Sequence, residues 1–362
     1  MIGNFASNTL SAAGNQYFFE TNGEKITTRA FFKITAGGRF NYFLLYTNII
    51  QSTYSDGSES KANDILPEWT IHSLRVARCD KDAFKDSAYL LDESKIFEFS
   101  ELYFSNLKSK AVKPSEVFKT DEFEFFAESD EYICIETTFS GSKIPNHVES
   151  LIPIFKEDNG AWVPDKNSPL PCLIACDRAV KQKIAFLGDS ITQGIGVPEN
   201  SYLHWNALLG KRNDDYSYWN LGLGFGRISD VASFGIWFEL AKICDVIFIC
   251  FGVNDLMQVG DAEQIKRDID KVVSAFKDLG KRVILQTLPP FDYEGEKIAK
   301  WESVNRFILE VLAEKVDLVF DCVNILGQPE ERHIAKYGGH PNEKGCARWA
   351  DALYSALEGI LY

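Results

Sequence analysis

Hydrophobic and polar positions change rhythm part-way along the chain. Up to about residue 180, apolar residues come in short runs rich in aromatic and β-branched side chains: Phe43–Tyr46, Leu74–Val76, Ile96–Phe99, Glu122–Phe126 and Tyr132–Phe139. In the last of these, Ile133, Ile135, Thr137 and Phe139 alternate with Tyr132, Cys134, Glu136 and Thr138. A two-residue period is that of a strand, whose successive side chains point to opposite faces. Gly37-Gly38, Asp56-Gly57 and Asn159-Gly160 are turn signals between such runs. Many short strands without long helices predict an all-β sandwich or jelly roll.

From Lys183 onward strands and helices alternate. Ile184–Leu187 is a short apolar strand, and a helix is expected from about Ser201 with Tyr202, Trp205 and Leu208 on one face. Trp219–Leu221 is a second strand, and Asp245–Phe251 a third, apolar throughout as a strand buried on both faces should be. Asp261 is the expected N-cap of the next helix, with Gln264 in the capping-box position. Ile265, Ile269, Val272, Val273 and Phe276 form its apolar stripe, and Gly280 ends it. Val283–Leu288 is strand four, a helix covers about Lys297–Glu314, and Leu318–Phe320 is strand five. A last helix over roughly Glu343–Gly359 turns Trp349, Ala350, Leu353 and Leu357 inward. Alternating β and α units predict a three-layer α/β/α domain around a five-stranded parallel sheet. Ligands on such sheets bind at the carboxyl ends of the strands.

The chain's 362 residues exceed what one hydrophobic core usually organises. The turn-rich stretch 157–182 separates the two rhythms, so the expected domains are 1–178 (β-sandwich) and 179–362 (α/β). The formal net charge of −14 argues against nucleic acid or an anionic membrane as partner, and suits neutral substrates such as sugars and simple esters. The eight cysteines are scattered, several inside apolar runs, as free buried thiols are. Cys172 and Cys176, the one close pair, lack the further ligands of a metal site. No run of about 18 apolar residues is present, and no signal-peptide pattern opens the chain. The expectation is a reducing, cytoplasmic setting, although a secreted chain trimmed of its leader would read the same.

Four loops carry unusual sequence, and all should lie at one end of the sheet. They are Gly188-Asp189-Ser190-Ile191-Thr192 after strand one, Asn220-Leu221-Gly222-Leu223-Gly224-Phe225-Gly226 after strand two, Gly252-Val253-Asn254-Asp255 after strand three, and Gly338-Gly339-His340-Pro341-Asn342 before the last helix. A serine between strand and helix exposes its Oγ beside backbone N–H groups. It needs a base within hydrogen-bond reach, which His340 can supply. Asn254 and the glycine-rich loop offer donors for the negative charge that acyl transfer develops.

Gly-Asp-Ser-Ile-Thr, Gly-Val-Asn-Asp and Gly-His-Pro-Asn, in this order, resemble the first, third and fifth blocks of the SGNH (GDSL-like) hydrolase superfamily. The resemblance covers 183–362 closely. More weakly, the β-rich half resembles the jelly-roll domain that precedes the catalytic domain in some members, including certain carbohydrate acetyl esterases. The resemblance implies Ser190 as nucleophile and first oxyanion donor through its N–H, Asn254 as a further donor, and His340 as general base. Asp189 and Asp255 would brace their loops. No metal or organic cofactor is implied.

Two departures matter. Where the family usually has glycine, five residues after the asparagine of the second block, this chain has Phe225. The backbone donor is then Phe225, or a shifted loop presents Gly224 or Gly226. Where the fifth block usually has aspartate, three residues before the histidine, this chain has Tyr337. Backbone carbonyls can orient His340, Asp321, Glu330, Glu331 or a rearranged aspartate elsewhere being unsupported alternatives, and the expectation is a Ser–His dyad. Thr192 rules out the Gly-x-Ser-x-Gly elbow of α/β-hydrolases, and no P-loop or dinucleotide fingerprint is present. The expected substrate is a small ester, acetyl in particular, on a carbohydrate. Alternatives are a longer-chain lipase or thioesterase, a binding protein that has lost catalysis, and a glycan-binding role for the β-half. Oligomeric state is not legible.

Overall fold

The computed structural model describes residues 4–84, 87–327, 335–337 and 339–361. The chain divides into two compact units: Met1–Gln51 with Ser60–Val180, and Ser52–Glu59 with Lys181–Tyr362.

The first unit is all-β, with antiparallel sheets. In the larger sheet Tyr132–Gly141 lies between Ile26–Lys33 and Trp69–Cys79. In the second, Gly38–Thr47 pairs with Leu173–Cys176 along one edge and with Val117–Lys119 and Phe123–Ala127 along the other. Alternation places Ile133, Ile135 and Phe139 in a core shared with Tyr42, Leu44 and Tyr46 of the second sheet. The opposite face is covered too, because Tyr132 and Cys134 pack into a smaller cluster with Phe31 and Phe155. There Glu136 is buried between Arg29 and Arg75, which neutralise it. The turn signalled by Asn159-Gly160 closes a hairpin, both residues taking positive φ (52° and 85°) between the paired Asp158 and Ala161.

Two readings of this half need correction. Ile96–Phe99 is not a strand: Ile96 makes one bridge to Cys79, and the paired strand is Ser100–Glu101. Ile26–Lys33 is a full strand that the pattern hid, because Arg29 interrupts its apolar run. That guanidinium is accommodated over the Trp162 ring at 3.8 Å and against Glu136.

The second unit has five parallel strands: β1 (Gln182–Gly188), β2 (Tyr216–Gly222), β3 (Val246–Cys250), β4 (Arg282–Gln286) and β5 (Leu318–Phe320). Their spatial order is β2-β1-β3-β4-β5. The order reverses between β1 and β3, and such a switch point leaves a crevice at the strands' carboxyl ends. β3 is buried at every position. The helices are α1 (Ser190–Gln193), α2 (Trp205–Gly210), α3 (Ile228–Ala232), α4 (Ile236–Ala241), α5 (Ala262–Asp278), α6 (Glu296–Glu310), α7 (Val323–Leu326) and α8 (Glu343–Ala356). One layer joins α2, α7 and α8, with Trp205 stacked on Trp349 at 5.0 Å, and the other joins α3, α4, α5 and α6.

The α5 stripe of Ile265, Ile269, Val272, Val273 and Phe276 is buried as its spacing predicts. Asp261 caps it by accepting from Glu263 and Gln264 N–H groups. The capping box is not closed, because the Gln264 amide turns to Asp268 instead. Helix α2 starts at Trp205, later than expected: Tyr202 takes a left-handed φ of 55°, which ends any helix there, and Leu209 rather than Leu208 faces inward.

Candidate active site

The serine sits where β1 becomes α1. Asp189 is the N-cap of that single turn, its carboxylate accepting from Ile191 N–H at 2.9 Å. Two glycines keep the turn tight against its neighbours. A Cβ on Gly188 would lie 2.0 Å from Thr192 Oγ1, and one on Gly222 would lie 2.1 Å from Gln193 N. Larger residues would push the Ser190 turn away from the ends of β1 and β2.

The loop after β2 follows. Leu223 N–H donates to Gly188 O at 3.1 Å, which ties this loop to the serine turn. Gly226 N–H donates to Leu223 O at 3.1 Å, so of the three donors considered for this loop Gly226 is occupied. Among the described residues, the N–H groups of Ser190, Gly224 and Phe225 donate to no protein atom. Phe225 has a φ of 59°. A left-handed backbone costs a residue with a Cβ roughly 1–2 kcal/mol, a physical reason for glycine to be usual at this position.

Asn254 lies just beyond β3. Its Nδ2 donates to Gly226 O at 3.1 Å, linking the second and third loops. Its neighbour Asp255 accepts from the N–H groups of Ile228 at 3.0 Å and Ser229 at 3.3 Å, capping α3.

His340 is buried and arrives from the opposite side of the sequence, in a two-residue strand paired through Tyr337. Its Nε2 lies 2.8 Å from Ser190 Oγ. The Phe291 ring packs edge-on against the imidazole, with centroids 5.2 Å apart. Gly196, at φ 114°, lets the serine loop approach the same strand, since a Cβ there would lie 2.3 Å from Pro341 O. Asn342 then caps α8 through Lys344 and Gly345. A serine hydroxyl and a buried imidazole in hydrogen-bond contact, 150 residues apart in sequence, meet at the carboxyl end of a parallel sheet.

Residues 186–348 match the GDSL-like lipase/acylhydrolase family. The second unit belongs to it. It is the fold and domain of a carboxylic ester hydrolase. Among solved structures, the chain is similar to a G-D-S-L family lipolytic protein from Veillonella parvula (20% identity, 49% of this chain and 97% of that one, TM-score 0.42). A candidate GDSL-like lipase from Bacteroides ovatus spans both units (15% identity, 94% and 85%, TM-score 0.42). Axe2, an acetylxylan esterase from Geobacillus stearothermophilus, is a third (19% identity, 50% and 95%, TM-score 0.40). No curated protein matches.

The GDSL-like unit carries two strongly perturbed carboxyls behind these loops. Burial pushes Asp189 up to about 7, opposed by the Ile191 N–H and reinforced by the nearby Asp255 charge. Burial likewise pushes Asp255 up to about 6, against the stabilising N–H groups of Ile228 and Ser229. Of the acids that could orient His340, Asp321 accepts from Thr287 Oγ1, Val323 N–H and Asn324 Nδ2. Glu330 and Glu331 lie outside the described residues. Sequence reasoning gave no role to Phe291 or Gly196, nor to Thr53, Tyr54, Arg227 and Asp230, which surround the Phe225 loop. Only the turn signal Asp56-Gly57 marked the first of these stretches, and it does not distinguish a loop of one unit from a loop of the other.

Among the described residues, no helix is long and apolar enough to cross a membrane. All eight cysteines are free and buried, with burial raising their thiols so that they stay protonated and inert.

Proposed function

We propose that the GDSL-like unit is a serine esterase working through a Ser190–His340 dyad, and that it removes small acyl groups, acetyl in particular, from a hydroxylated carrier such as a carbohydrate. The observation that carries this reading is the 2.8 Å contact between Ser190 Oγ and His340 Nε2. In the first half-reaction Oγ attacks the ester carbonyl while Nε2 takes its proton. The tetrahedral oxyanion collapses, the C–O bond to the alcohol breaks, and His340 returns the proton to that alcohol. Water, deprotonated by the same imidazole, then attacks the acyl carbon, the bond from that carbon to Ser190 Oγ breaks, and His340 returns the proton to Oγ as the acid leaves. The open N–H groups of Ser190 and Phe225 and the Asn254 carboxamide are the donors assigned to the oxyanion. Each donor of this kind is worth roughly 3–4 kcal/mol. Asp189 and Asp255 act through the loops they cap.

The choice of a small acyl group rests on bulk. Phe225 puts a ring where the family usually has none. The carbohydrate carrier rests on the likeness of the two-unit layout to certain carbohydrate acetyl esterases. The test is nitrophenol release from acetyl and octanoyl esters by wild type and Ser190→Ala, followed by acetate release from acetylated xylan. Acetyl turnover above octanoyl, abolished by the substitution, is expected. A maximum at eight carbons or more would overturn the acetyl reading.

A further inference from the structure

We propose that Thr53 and Tyr54, from a chain segment remote in sequence, are positioning residues that hold the Phe225 peptide in the orientation the reaction needs. This rests on the dyad esterase reading above.

The segment Ser52–Glu59 leaves the first unit between its strands Gly38–Thr47 and Trp69–Cys79 and belongs to the second. There it grips the stretch just after β2 at three points. Thr53 N–H donates to Asp230 Oδ2 at 2.9 Å and Thr53 Oγ1 donates to Asp230 Oδ1 at 2.6 Å, so one residue engages both carboxylate oxygens. Arg227 Nη2 donates to Ser55 O at 2.6 Å. The Tyr54 ring meets the Phe225 ring edge to face, at 5.0 Å and 73°.

Asp230 is also the acceptor of Arg227 N–H at 3.2 Å, so its carboxylate fixes the start of α3 and the segment together. Phe225 opens this gripped stretch, and its backbone is left-handed, at a φ of 59°. A residue with a side chain keeps such a backbone when its surroundings over-determine it. Glycine would adopt it unaided. The grip therefore substitutes for the missing glycine, the Tyr54 ring acting on the Phe225 ring and Thr53 on the helix start behind it. The Phe225 N–H, which donates to no protein atom among the described residues, is what the arrangement aims.

A double-mutant cycle on the whole 362-residue chain separates positioning from substrate contact. Active sites are first counted by the nitrophenolate burst with diethyl 4-nitrophenyl phosphate, and kcat for nitrophenyl acetate is then expressed per site. Tyr54→Ala is expected to lower kcat at least tenfold with KM within twofold, and Tyr54→Phe to stay within twofold of wild type. In a Phe225→Gly background, where the backbone no longer needs holding, Tyr54→Ala is expected to change kcat less than twofold. Equal loss in both backgrounds, or no loss in either, would overturn the proposal. If Tyr54→Ala fails to fold by circular dichroism, Thr53→Val is carried through the same cycle with the same expectations. A wild type that neither hydrolyses the acetate ester nor gives a burst would overturn the esterase reading itself, and this proposal with it.

Discussion

Asn254 Nδ2 donates to the carbonyl oxygen of Gly226 at 3.1 Å. One N–H of the carboxamide thus fixes the side chain against the β2 loop and leaves the amide group directed by that loop rather than by solvent. Asn254→Ala is expected to lower kcat on nitrophenyl acetate by about 10²–10³, the usual cost of losing one oxyanion donor. KM should change much less, because the interaction strengthens as the charge develops. Steady-state kinetics reads this directly. A loss confined to KM would place Asn254 in ground-state binding instead.

The buried carboxyls give a signed pH dependence of stability. Asp189 sits at about 7 and Asp255 at about 6 in the folded chain, against about 4 for an unfolded aspartate. Between those values the folded state binds more protons than the unfolded one, so stability falls as pH rises. The contribution is full below about pH 4 and lost as pH passes through 6 and 7. Asp189→Asn keeps an oxygen for the Ile191 N–H and removes the titration. The variant's thermal midpoint is expected to gain on wild type as pH goes from 5 to 8. A midpoint difference that stays constant over that range would contradict the assignment.

Gly196 tests how closely the serine loop and the histidine strand are fitted. At φ 114°, with a Cβ landing 2.3 Å from Pro341 O, alanine there is both strained and crowded. The easiest relief moves Pro341, and His340 with it, away from Ser190. Gly196→Ala is expected to cut kcat at least tenfold and to lower the melting midpoint by several degrees. Unchanged kcat would show that the loop yields without disturbing the dyad.

The α/β unit was far more legible in sequence than the site's surroundings. Strand β3 and the α5 stripe announce themselves because burial on both faces, or along one helical stripe, leaves a periodic record. Ser190, Asn254 and His340 were legible because each follows a strand or precedes a helix in a short, chemically restricted loop. Ile26–Lys33 was hidden because Arg29 and its partners bring charge into a buried strand. Thr53 and Tyr54 were hidden for a different reason. Their contacts lie more than 170 residues away along the chain, and neither residue type is unusual in a loop. The left-handed backbone of Phe225 was equally silent, since an aromatic residue predicts the opposite conformation.

The most direct test of the dyad is covalent. Diethyl 4-nitrophenyl phosphate should form a bond from Ser190 Oγ to phosphorus, expelling nitrophenolate while His340 takes the proton. Peptide mass spectrometry is expected to find one diethylphosphoryl group, on Ser190, in wild type, and none in His340→Ala over the same interval. Label on another residue, or continued ester hydrolysis by a protein that takes no label, would contradict the account.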